Sequence, residues 1–194
     1  GAATEEKSDY TFNYKGAKGS ETIRNTQVNF YGDNDYRATE TEVGPDDEMT
    51  RQVTFKNGLD ATELGLLERG LNGVSKAINQ TGINNKVLSE TFFAGEVSEE
   101  KSDYTFNYKG AVGSQDVRNT QINFYDGQLR ASEVSPDAAM IMQVTYKDEV
   151  LSVATTAYDH QASLEGVNKL LSETFFKGAA TEEKSDYTFN YKGA

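Results

Sequence analysis

The chain has 194 residues, 36% of them hydrophobic, with 31 acidic against 19 basic side chains and a formal net charge of −12. It contains no Cys, no Trp and a single His, His160, which excludes disulfide staples, thiol catalysis and cysteine-based zinc sites. The acidic excess opposes binding to nucleic acid or an anionic membrane, and no apolar run is long enough to insert across a bilayer.

One motif organises everything else. KSDYTFNYKGA occurs at Lys7 to Ala17, Lys101 to Ala111 and Lys184 to Ala194, the copies starting 94 and then 83 residues apart. The spacing predicts repeat units at 1–93 and 94–176, with 177–194 as the first strand of a third. Units of that size bury a modest core and gain from contact with a neighbour.

In chain order, GAATEEK reads as a linker. The aromatic strand follows, with Tyr10, Phe12 and Tyr14 on one face and Thr11, Asn13 and Lys15 on the other, the period-two pattern of a half-buried strand. Tyr104, Phe106 and Tyr108 repeat that stripe, as do Tyr187, Phe189 and Tyr191. A second strand is expected over Thr22 to Tyr31 and Asp116 to Tyr125. Between Lys7 to Tyr31 and Lys101 to Tyr125, 20 of 25 positions are identical, and the exchanges Ile23/Val117 and Val28/Ile122 keep β-branched shape. Asp126-Gly127 carries the chemistry of a type I′ hairpin turn. A third strand is expected over Tyr36 to Val43 and Gln128 to Val134, ended by Pro45 and Pro136. A fourth covers Met49 to Lys56 and Met140 to Lys147, where the lone charge Arg51 is expected at an edge or snorkelling outward.

The units then diverge. Leu64, Leu67, Leu71, Val74 and Ile78 predict an amphipathic helix from Asp60 to about Asn79, capped by Asp60 with Glu63 three residues on. In the second unit, Glu149 to Tyr158 alternates like a strand, and Asp159 caps a shorter helix through Leu171. Both units close on LSETFF, at Leu88 to Phe93 and Leu171 to Phe176, and AGEVSEEK reads as a polar linker to the next aromatic strand. The expected fold class is α+β: two tandem units, each an antiparallel sheet of about four strands packed with one helix.

Gly178 to Ala194 repeats Gly1 to Ala17 without a change. A bare strand needs a sheet to pair with, which leaves two arrangements open. The aromatic strand completes the sheet of the preceding unit by strand addition, or every strand pairs inside its own unit.

No motif specifies catalysis, a cofactor or a metal. His160 lies beside Asp159, but no G-x-S-x-G elbow accompanies it. The clusters Asp33, Asn34, Asp35 and Asp46, Asp47, Glu48 do not match a calcium loop and read as solvated turns. Lys15, Lys56 and Asn29 are candidate partners for an isopeptide bond, with no spacing that selects a pair. High internal identity without Cys or an active-site motif resembles shaft repeats of bacterial surface or filament proteins, and implies an extracellular or cell-surface setting. The resulting expectation is a non-enzymatic structural or self-assembling module whose partners are neighbouring repeats or further copies of itself, joined through Tyr10, Phe12, Tyr14, Tyr104, Phe106, Tyr108, Tyr187, Phe189 and Tyr191. The alternative is an adhesin-type module that recognises a surface glycan or protein, with exposed Tyr31 and Tyr125 as contacts.

Overall fold

The computed structural model describes residues 6–67, 71, 76–150, 158–160 and 168–192. Its strands are β1 (Tyr10–Lys15), β2 (Thr22–Tyr31), β3 (Tyr36–Arg37), β4 (Met49–Lys56), β5 (Val87–Ala94), β6 (Lys101–Lys109), β7 (Asp116–Tyr125), β8 (Met140–Lys147), β9 (Leu170–Lys177) and β10 (Lys184–Asn190). All ten belong to one antiparallel sheet in the order β1-β2-β4-β5-β6-β7-β8-β9-β10, with β3 paired to β2. The described part is mostly β, with one short helix, α1 (Ala61–Leu66).

This corrects the expected α+β pair of separate four-stranded sheets. The sheet does not stop at the unit boundary, because AGEVSEEK is a hairpin and not a loose linker. Phe93 pairs with Ser102 and Ala94 with Lys101 across it. Gly95 turns the chain at φ 126°, where an added Cβ would lie 2.9 Å from the Glu99 carbonyl oxygen. Glu100 then accepts the Met49 amide at 2.8 Å, tying the hairpin to β4. The same device recurs one unit on, where Glu183 accepts the Met140 amide at 2.8 Å. The free edges of β5 and β6 would each present unpaired backbone groups, and pairing them removes that cost.

Two further expectations change. The third strand shrinks to Tyr36–Arg37, and its counterpart in the second unit to a single bridge between Tyr125 and Leu129. Arg37 and Arg130 turn onto the Asp9 and Asp103 carboxylates, and the polar run after Arg37 supplies no apolar face to continue a strand. The long first-unit helix is reduced to α1, capped by the Asp60 and Glu63 box, followed by a 3-10 turn at Ala77–Asn79; residues 68–70 and 72–75 of that stretch lie outside the described residues. Leu170 and Leu171, expected at the end of the second helix, belong instead to β9. The expected strand over Glu149 to Tyr158 and the rest of that helix fall largely on 151–157 and 161–167, also outside the described residues.

Alternation divides the sheet into two chemically different faces. One carries the apolar stripe: Val28, Phe30, Val53, Phe55, Phe106, Tyr108 and Val117 pack with Leu59, Leu67, Leu71 and Ile83. Ile122, Phe124, Met142, Val144, Tyr146 and Leu170 continue it with Val150. The other face is a field of amides and hydroxyls joined from strand to strand: Thr91 with Thr105 at 2.9 Å, Asn107 with Asn119 at 2.9 Å, Gln143 with Asn123 at 2.9 Å and Thr174 with Thr188 at 3.0 Å.

Candidate functional site at the joint between repeats

The joint is built around β6. On one side it pairs with β7 of its own unit, and on the other with β5 of the preceding one, setting Tyr104 opposite Phe92 and Phe106 opposite Glu90. The stripe residues therefore meet the preceding LSETFF segment directly. Tyr104 stacks on Phe92 with ring centroids 4.4 Å apart, and Phe106 meets Phe92 edge-on at 5.8 Å. β10 repeats the arrangement on β9, with Tyr187 stacked on Phe175 at 4.7 Å and Phe189 edge-on at 6.0 Å.

The three copies of the stripe share a sequence but not an environment. Phe106 and Tyr108 are 2% and 3% exposed, flanked by strands on both sides. Tyr10 and Tyr14, on a sheet edge, are 40% and 60% exposed. Tyr187 and Phe189 are 47% and 53% exposed, with β9 as the neighbour of β10. Phe12 stays beside Tyr10, ring centroids 5.1 Å apart.

A buried carboxylate lies at the centre of each joint. Glu90 on β5 is fully buried, and Tyr108 of the following unit donates its hydroxyl to it at 2.5 Å. Arg51 on β4 is also buried, corrected from the edge or outward position expected for it. Its Nε donates to Glu90 at 2.5 Å and its Nη1 to Asp35 at 3.0 Å, and its guanidinium lies 4.8 Å from the Phe92 ring centre. The Ala77 amide adds a bond to Glu90 at 3.0 Å. Burial pushes the Glu90 carboxyl up, while Arg51, Tyr108 and Ala77 pull it back without cancelling the rise. The Tyr108 hydroxyl is also pushed up, by burial and by the Glu90 charge.

The second joint keeps the carboxylate and changes its company. Glu173 on β9 accepts from Tyr191 of the third copy, from Tyr158, and contacts His160 Nδ1 at 2.8 Å. Burial alone would raise its carboxyl, but these three hydrogen bonds outweigh burial and hold it below the ordinary value. Burial and the bond to Glu173 push the Tyr191 hydroxyl up to about 12. Tyr104 in the first joint is likewise pushed up to about 12, by burial and then by the Asp103 charge. Register places Met142 where the first joint has Arg51, and Gln128 precedes Leu129, the bridge partner of Tyr125, as Asp35 precedes Tyr36, the partner of Tyr31.

Several other sequence candidates are placed differently from their expected settings. Tyr31 and Tyr125, expected as exposed contacts, are 6% and 5% exposed, and their hydroxyls donate to the Ser8 and Ser102 carbonyls at 2.7 Å. The Asn29 amide donates to the Ser8 carbonyl and accepts from Gln52, and Lys15 and Lys56 are exposed strand ends, so the three do not form a linked pair. Asp35 is committed to Thr50 and Arg51, and Asp47 to the Gly44 amide. Sequence reading missed Glu90 and Glu173 altogether. The signal for them was the second occurrence of LSETFF at the same distance before each aromatic strand.

No family model, curated protein or solved structure matches the chain.

Proposed function

We propose that the chain is a structural tandem-repeat module of an extracellular surface or filament protein, in which each aromatic strand is shared by two successive units so that repeats extend one sheet. The observation that supports this reading is the double pairing of β6, sealed by the Tyr108 bond to Glu90 across the unit boundary. Backbone pairing supplies affinity at such a joint, and the alternate aromatic side chains supply register. Units that contact only their neighbours add stability and length in proportion to their number.

Scattering from chains carrying two, three and four copies of residues 94–176 tests the reading. Each copy adds four long strands, so the longest dimension grows by about 19 Å per copy at normal strand spacing. Growth in all directions, as for units that collapse on one another, contradicts a spacer role.

A further inference from the structure

We propose that the second joint is a binding site for a small alkylguanidinium cation, whose geometry is displayed by the protein's own first joint. There, a guanidinium lies between the Glu90 carboxylate and the face of Phe92, with Asp35 on its far side. In the second joint the carboxylate, Glu173, and the ring, Phe175, keep their places in the register, but the arginine is Met142. A cavity of about 550 Å³ opens at this place, lined by Gln128, Met142, Tyr158, Glu173, Phe175 and Phe189 among others.

The charge balance points the same way. Arg51 offsets the Glu90 carboxylate within the first joint. Among the described residues, Glu173, with a side chain only 2% exposed, meets two neutral hydroxyls and, at the same oxygen as Tyr158, a His160 imidazole that is charged only when protonated. A carboxylate held in its ionised form at the wall of an aromatic-lined cavity attracts an organic cation. The apolar ends of Met142 and Phe189 fit a short alkyl tail, and Gln128, which stands in the chain where the first unit has Asp35, also lines the cavity. The planar, forked donor set of a guanidinium matches that arrangement better than the point charge of an ammonium. The site is independent of the spacer reading and can fail without it.

Ethylguanidinium chloride is titrated into the isotopically labelled full chain and followed by NMR, with ethylurea as the neutral compound of the same shape. Saturable shifts are expected at Gln128, His160, Phe175 and Tyr191, with none at Arg51 or Phe92 and none from ethylurea. Met142→Arg, which supplies a tethered guanidinium, weakens binding about tenfold or more while its spectrum remains that of a folded protein. Glu173→Gln weakens it as well. No saturable shift, equal shifts from ethylurea, or unaltered binding by folded M142R overturns the proposal.

Discussion

Glu90 and Arg51 form an ion pair out of reach of water, each 2% exposed or less. Removing one partner leaves the other charge desolvated and unbalanced, which costs about 3–5 kcal/mol. Glu90→Ala is therefore expected to lower stability by that amount in urea titrations, far more than a truncation of exposed Tyr14. Glu173 supports a prediction of opposite origin. Its folded carboxyl lies below the ordinary value, so its contribution is complete above the unfolded value of about 4.3 and is lost as pH falls through the folded one. The urea midpoint should decline on acidification through that window, and Glu173→Gln should flatten the decline. An unchanged slope in the variant would assign the acid sensitivity to other carboxylates. These two glutamates also show what alternation hides: Ser89, Glu90 and Thr91 read as a polar run, although Glu90 occupies a core position, and the register shift beside Thr54 and Phe55 further breaks the pattern. The ion pair with Arg51, the Tyr108 hydroxyl and the Ala77 amide, all distant in sequence, make that position tolerable for a carboxylate.

At the scale of elements, β4 and β8 were legible because Val53 and Phe55, or Val144 and Tyr146, alternate cleanly with polar residues. The extent of the helix was not, since buried Leu67 and Leu71 and half-buried Leu64 mark a stripe without saying how far the helical backbone continues. The residue pattern of AGEVSEEK gave polarity but not its turn. Its hairpin depends on the positive φ of Gly95, with the Glu99 carbonyl 2.9 Å from where a Cβ would stand. Gly95→Ala is expected to destabilise by about 1 kcal/mol or more through that left-handed conformation. Gly65→Ala in α1, with nothing within 4 Å of its added Cβ, is expected to stabilise by up to about 1 kcal/mol. Thermal melts of the two variants should therefore move in opposite directions, and a matching loss in both would contradict the assigned turn.

Over the whole molecule, the repeat was visible in the sequence while the continuity of its sheet was not. KSDYTFNYKGA is written three times, but a strand's second neighbour is a long-range fact that its own residues do not encode. Phe106 and Tyr108 gain β5 as that neighbour and become the interior of a shared core, with half-buried Tyr104 packed against it, whereas the matching Tyr10 and Tyr14 remain exposed. The central claim is that the joint is as firmly hydrogen-bonded as the units it connects. Native-state amide exchange measures this directly, since opening free energies are resolved strand by strand. The account predicts that the paired amides of β5 and β6 exchange as slowly as those between β7 and β8, through a common opening of the sheet. Rapid exchange confined to 87–109, with the flanking strands still protected, would mean that the boundary is a loose linker and would contradict the shared-strand architecture.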